Sequence, residues 1–458
     1  MTSTILTSIV SFLVAIGILV AVHEYGHFWA ARRLGFKVLR FSIGFGRPLF
    51  RRVGSHPDRT EFVIAALPLG GYVKMLDEQE GPVPPEDRER SFQSRSPAAR
   101  IGVLLAGPGA NFLFAIGAFW LVFLMGVPGL KPEVGQVALD SAAARAGLLP
   151  GDVIVEVADT TVQTREQAIL GLLNGILDYE ELPVGVVGDD GRQRSLLLSV
   201  PASDRRALTE PGALLEGLGL QFWQPRIPAR VGTVVEGGPA YLAGLLPGDL
   251  IVALDGRPVD DFFALADLLR ARPGEAVNLS VDRQGRSLEL DMVADSVEEG
   301  GRVIGRIGMT AEGLAEYPPN MRVEERHGPL GAVRPALQET WDKTVLTLKF
   351  LTRMITGDVS SRNLSGPVNI AQYAGLSASG GLDYFLGFLA LVSISLAVLN
   401  LLPLPILDGG QVVYQVAELV KGSPVSEAAQ AVGQRIGVMV LVLLMGYAFY
   451  NDLSRLAG

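Results

Sequence analysis

Long apolar runs alternate along the chain with long stretches of mixed polarity. Four runs approach the roughly 20 residues that a helix needs to cross a bilayer. The first starts at Ile5, reaches Val22 and continues past His27 toward Ala31; the second covers Ile101 to Met125; the third runs from Tyr384 to about Leu402; the fourth, Ile436 to about Tyr450, is the shortest. Residues 127–380 contain no such run and read as a water-soluble insertion between the second and third spans. Within it, Val333 to Ile355 has an amphipathic helical pattern. Leu346, Leu348, Phe350, Leu351, Met354 and Ile355 are interspersed there with Lys343, Lys349 and Arg353. That pattern suits either a membrane surface or a packing face.

The insertion contains a repeat. Ala146 to Asp152 reads AGLLPGD, and Ala243 to Asp249 reads the same seven residues, 97 positions later. Each copy leads into a strand-like stretch, VIVEV or IVALD. An identical word at one fixed offset indicates a duplicated domain. Gly147 and Gly244 are placed to end a short helix, and Pro-Gly-Asp is a turn that starts a strand. The phrase resembles PDZ domains in the permuted form of bacterial proteases. Such domains bind chain ends by adding a strand to a sheet edge. The two copies are expected to contact a peptide or partner, with plain spacers as the alternative.

Charge sets the orientation. No Lys or Arg precedes the first run, so it lacks the basic start of a signal peptide. Eight basic residues follow it between Arg32 and Arg59, against the single acid Asp58. The excess of positive charge assigns this loop to the cytoplasm and the N-terminus to the outside. Four spans then bring the C-terminus and the insertion outside as well, to the periplasm. The composition agrees with a membrane protein carrying soluble parts: 48% of the 458 residues are hydrophobic and 19% are charged. A net charge of −9 argues against nucleic acid as a partner. There is no cysteine, which excludes disulfides, thiolate metal sites and a thiol nucleophile.

Any metal must therefore be held by His, Asp or Glu, and only four histidines exist: His23, His27, His56 and His327. His23-Glu24-Tyr25-Gly26-His27 fits H-E-x-x-H. On a helix, positions i and i+4 share a face, so both imidazoles point at one Zn²⁺. Glu24, between them, is placed to act as general base toward zinc-activated water. Ionisable groups inside an apolar span cost several kcal/mol and are functional by default. A catalytic zinc needs a third protein ligand. Asp408, in Asn400-Leu-Leu-Pro-Leu-Pro-Ile-Leu-Asp408-Gly-Gly, follows a nearly unbroken apolar run. On spacing alone, Asp408 is as well suited to cap the helix that follows as to bind metal. Asn400 could bond substrate backbone or an oxyanion, or join two helices. For Asn111, in Gly107-Pro108-Gly109-Ala110-Asn111, the glycines favour close helix packing.

These residues and motifs resemble the bacterial site-2 proteases, the M50 zinc metalloproteases, over nearly the whole chain. HEYGHFWAARRLG is similar to the family's first-span motif, RFSIGFGRPLF and LPLGGYVKMLDE to its membrane-associated strands, and AGPGANFLFAI to its second span. NLSGPVNIA resembles the segment before span three, and NLLPLPILDGG the second metal motif, NxxPxPxxDG. The resemblance implies that His23, His27 and Asp408 hold zinc, that Glu24 is catalytic, and that Asn400 handles substrate. It also implies that Phe41 to Gly46 and Leu69 to Met75, with Gly70 and Gly71, pair with unwound substrate.

The implied architecture is a multi-domain integral membrane protein. Residues 1–126 carry two spans and a membrane-associated β region at about 37–75. Two inserted periplasmic PDZ domains (α+β) follow at 127–219 and 220–312, an amphipathic segment at 313–380, and two more spans at 381–458. The implied activity is cleavage within single-span membrane proteins after another protease has removed their external part. Anti-sigma factors and remnant signal peptides are examples. The implied setting is a bacterial inner membrane with the active site near its cytoplasmic side, and the PDZ pair excludes substrates that are still too large. A helical peptide bond must unwind before attack, and unwound backbone in lipid needs partners. Strand addition along Val38 to Ile43 or Glu61 to Ala66 would supply them. Two other readings, an inactive scaffold and an ion transporter with broken helices, are disfavoured by the complete H-E-x-x-H.

Overall fold

All four apolar runs are helical, in a computed structural model that describes residues 2–55, 58–78, 81–210, 212–299, 302–313 and 317–457. The chain divides into two units, Met1–Pro128 with Glu324–Asp452, and Gly129–Val323 with Leu453–Gly458. The first unit holds helices α1 (Thr2–Arg33), α2 (Pro97–Met125), α3 (Val333–Thr356), α4 (Pro367–Gly380), α5 (Leu382–Asn400), α6 (Asp408–Lys421) and α7 (Glu427–Ala457). Among the described residues α1, α2, α5 and α7 are long and apolar enough to cross a membrane. The shortest, α5, has 19 residues and so spans about 28 Å. The fourth run is much longer as a helix than as an apolar pattern. Its backbone continues through flanking polar positions such as Glu427, Arg435 and Arg455, whose side chains can reach the membrane boundary.

Side-chain size decides how closely these helices approach. Gly26 of α1 faces Ala106 and Ala110 of α2, and a Cβ there would overlap both. Small residues at such contacts let helix backbones meet where lipid offers no hydrophobic drive. Ala15 and Leu19 of α1 pack against Leu389 of α5. Ala115, Ala118 and Phe119 of α2 join Ala390, Ile394 and Val398 of α5 and Ala336 of α3. The amphipathic segment is the helix α3, with Leu337 and Trp341 exposed. The following α4 is fastened to the end of α7, where the buried Asp452 carboxylate accepts the N–H groups of Gly366, Val368 and Asn369 at 2.9–3.1 Å.

Between α1 and α2 lie two bent strands, β1 (Val38–Val53) and β2 (Glu61–Met75). Each folds back on the other, so two strands form four ribbons. Phe41 pairs with both Val73 and Phe62, Ser42 with Tyr72 and Val63, and Ile43 with Gly71 and Ile64. The lateral order is therefore Gly71–Met75, Val38–Ile43, Glu61–Ala65, Pro48–Val53. Positive φ at Gly44 (89°) and Gly70 (115°) makes the bends, a backbone state that L side chains avoid. The two stretches expected to receive a substrate strand, Val38–Ile43 and Glu61–Ala66, are interior ribbons whose backbone groups already have neighbours on both sides. Among the described residues the open edges are Gly71–Met75 and Pro48–Val53.

The second unit bears out the repeat. One copy has a sheet ordered Thr160–Thr161, Val153–Val157, Glu181–Val187, Gln193–Ser199. The other is ordered Arg257–Pro258, Leu250–Leu254, Ala276–Arg283, Arg286–Val293. Each is covered by one helix, Arg165–Asp178 or Phe262–Arg270, started by a side-chain cap from Thr164 or Asp261. In both repeats the first leucine of AGLLPGD is buried, Leu148 and Leu245. The aspartate accepts a backbone N–H three residues back, Asp152 from Leu149 and Asp249 from Leu246, each at 2.8 Å. Each aspartate also meets an arginine, Arg194 or Arg283. Burial acts to raise the Asp249 carboxyl, but two bonds from Arg283 and the Leu246 N–H outweigh it and hold the group below the usual carboxylate range. Leu220–Phe222 pairs with Val134–Val137, so the boundary expected at 219/220 falls inside the first copy.

Candidate metal centre

The helix α1 carries His23 and His27 one turn apart, and both are buried together with Glu24. Against them α2 presents Gly107, where any Cβ would strike the His27 ring. That missing side chain lets His27 reach the backbone of α2, and its Nδ1 lies 2.8 Å from the carbonyl oxygen of Val103. The Nδ1 of His23 lies 3.2 Å from the side-chain amide of Asn111, also on α2. Both imidazoles thus turn Nε2 to the same side, and the two Nε2 atoms are 3.2 Å apart.

Asp408 completes the group. After α5 the chain reverses through Pro403 and Pro405, with short backbone bonds from Leu404 N to Leu402 O and from Leu407 N to Leu404 O. Gly409 and Gly410 then lie directly on the backbone of Leu401, Leu402 and Leu404, where a Cβ would overlap. This draws the start of α6 inward. The cap position belongs to Leu407, which makes no side-chain cap bond, and Asp408 instead aims its carboxylate at the histidines. Its Oδ2 lies 3.2 Å from His23 Nε2 and 3.4 Å from His27 Nε2. The far end of α6 is fixed by a bidentate pair, with Arg100 Nη2 2.7 Å and Nη1 3.1 Å from the two Glu418 oxygens. Arg100 and Glu418 are nearly buried, which makes the pair a firm anchor between α2 and α6.

The donor set fits zinc. Bond lengths of about 2.0–2.1 Å put tetrahedral donors about 3.3 Å apart, and the three separations here are 3.2, 3.2 and 3.4 Å. Asp408 Oδ2 is buried and has no hydrogen-bond partner. Two nitrogens and a carboxylate oxygen converging this way are held together by a cation better than by one another.

The other expected site residues divide. Gly71 sits beside the base, and a Cβ on it would lie 2.8 Å from Glu24 Cγ and 2.6 Å from Ser42 O. Gly70 faces the Phe45 ring and serves the bend. Asn400 is the last residue of α5 and half-buried. Val103 and Asn111, which meet the ligand imidazoles, were not legible as site residues. A backbone carbonyl leaves no trace in sequence, and the glycines around Asn111 pointed to packing. Its one signal was an amide in an apolar span.

The family model of peptidase family M50 matches residues 11–444. The chain belongs to peptidase family M50. It is a zinc metallopeptidase. It is 42% identical over 454 residues to the regulator of sigma-E protease RseP of Escherichia coli (strain K12), covering 98% of this chain and 99% of that protein. Protease RseP of Yersinia pestis is 42% identical over 459 residues, covering 99% of this chain and all of that one. Among solved structures, the PDZ domain of the SdrC-like protein Lmo2051 from Listeria monocytogenes matches 20% of this chain and 93% of its own, at 20% identity and a TM-score of 0.17.

Proposed function

We propose that this M50 peptidase works inside the bilayer, as an endopeptidase that cuts the transmembrane segments of single-span membrane proteins. One observation carries the reading: His23, His27 and Asp408 converge on one point beside Glu24, within and between apolar helices. His23, His27 and Asp408 hold the metal. Zinc supplies an acidified water molecule and a polarised scissile carbonyl. Glu24 takes the proton from the attacking water and returns it to the departing amine.

A substrate helix has to unwind before its carbonyl is open to attack, and its freed amides then need partners. The open edge Gly71–Met75 offers them next to Glu24, and Gly71 keeps that approach clear of side chains. Gly70 shapes the same edge. The Asn400 amide, half-buried at the end of α5, is available to hold substrate backbone.

The basic loop after α1 puts the β region on the cytoplasmic side of a bacterial inner membrane, with both termini and the repeated domains in the periplasm. Those domains are a PDZ pair that contacts substrate or a regulator and limits access. Kinship with a regulator of sigma-E protease makes an anti-sigma factor, already shortened by a first cleavage, the favoured substrate class. Remnant signal peptides are the second.

Glu24→Gln tests the reading. With a reporter transmembrane peptide in reconstituted vesicles, the variant is expected to keep its zinc and lose cleavage. Cleavage at the wild-type rate would remove Glu24 as the base.

A further inference from the structure

The second span contributes a buried side chain to the centre that the chemistry above does not use. Asn111 has no exposed surface. Its backbone carbonyl accepts a hydrogen bond from Ser393 Oγ of α5 at 2.9 Å, which fixes it at the junction of three spanning helices. Its side-chain Nδ2 lies 3.2 Å from His23 Nδ1, while its Oδ1 is buried with no partner.

A neutral imidazole that gives Nε2 to a metal carries its proton on Nδ1, so the group facing Nδ1 has to accept. His27 meets this rule through the carbonyl of Val103. For His23 the facing group is the Asn111 amide, whose two ends exchange by a half-turn of the side chain. That half-turn leaves an amide N–H without a partner in place of the oxygen. In return it makes the bond that the metal-competent tautomer requires. The hydrogen-bond neighbour of this amide is the ligand imidazole itself.

Resting on the zinc reading above, we infer that Asn111 is a positioning residue for the metal: its Oδ1 accepts the Nδ1–H of His23 and so fixes the tautomer and ring angle of that ligand. Together, Val103 and Asn111 make α2 the outer support of both histidines.

The test is zinc affinity of the full chain in nanodiscs, by competition with a chromophoric chelator, for wild type, Asn111→Leu and Asn111→Asp. Loss of an outer-shell partner typically weakens metal binding by about 10–100-fold, and that loss is expected for Asn111→Leu. Asn111→Asp keeps an acceptor and has no donor, so it is expected to hold zinc as wild type does. Melting of the metal-free proteins separates packing from positioning, and the leucine variant is expected to lose affinity well beyond any change there. Wild-type affinity in Asn111→Leu would overturn the inference. So would equal loss in a folded Asn111→Asp, because an acceptor-only side chain fails only if His23 Nδ1 is unprotonated. The aspartate arm decides the matter even if the leucine variant does not fold. A wild-type chain without zinc affinity would instead overturn the zinc reading itself.

Discussion

Gly71 lies against Glu24, the proposed base, which makes it a sensitive place to intervene. In Gly71→Val the new side chain would meet Glu24 Cγ on one side and the Ser42 carbonyl on the other. Ser42 is backbone in an interior ribbon and cannot yield easily, so Glu24 moves. A displacement of about 1 Å can cost 100-fold, and kcat/KM is expected to fall by about that factor with zinc content unchanged. Metal analysis beside a cleavage assay reads both, and undiminished cleavage would show that the base tolerates the crowding. At this scale the sequence was legible where chemistry is written in local spacing. His23, Glu24 and His27 are three residues of one helical turn, and their types and interval suffice. Asp408 was legible only as a choice between two roles. The choice turns on the Gly409–Gly410 contact with the reversing chain, and a one-dimensional pattern does not hold that contact. The contact of Asn111 was hidden for the same reason, since its neighbour His23 lies on another helix.

The β region shows what an apolar and polar pattern conveys about an element and what it omits. Alternation and glycines marked strands at about 37–75, and strands are there. Which ribbon is central and which is an edge depends on the two glycine bends, and pairing order cannot be read from composition. The resulting prediction is specific. Successive residues in an edge strand direct their N–H groups alternately inward and outward. Single prolines placed in turn from Gly71 to Lys74 are therefore expected to alternate in effect. Those removing an outward N–H should lose up to about tenfold in cleavage, the worth of one hydrogen bond, with zinc retained. Those removing an inward N–H should unfold the sheet. A proline that removes an outward N–H on the opposite open edge, Pro48–Val53, is expected to leave cleavage unchanged. A flat response along Gly71–Lys74 would mean that substrate backbone is held elsewhere. The paired repeat was the most legible element of all, because two identical seven-residue words impose the same burial and the same aspartate turn twice.

Across the whole molecule, the metal's three donors come from the first helix and from the segment after the fifth, and α2 stands behind them. A ligand that binds only such an assembled state stabilises it by mass action, by about 2.7 kcal/mol at a hundredfold excess over Kd. Removing zinc with a chelator is expected to lower the melting temperature of the helical unit. The Asp408→Ala chain should melt at the lower temperature with or without metal. Equal melting of the wild type in both states would mean that zinc contributes nothing to holding the helices together. Membrane spans were easy to recognise from the sequence because apolar length is itself the signal. The tie between Asp452 at the end of α7 and the start of α4 was not, because it joins polar groups distant along the chain.

The distance along the chain between His23 and Asp408 also has a bearing on synthesis. The ribosome delivers the two imidazoles and the base first, and the carboxylate only after both repeated domains and α5 have been made. At typical elongation rates that interval is on the order of tens of seconds. During it the nascent chain holds two of the three proposed donors and cannot close that group. On the proposed reading, the chain becomes competent to bind its metal only once both repeated domains have been made.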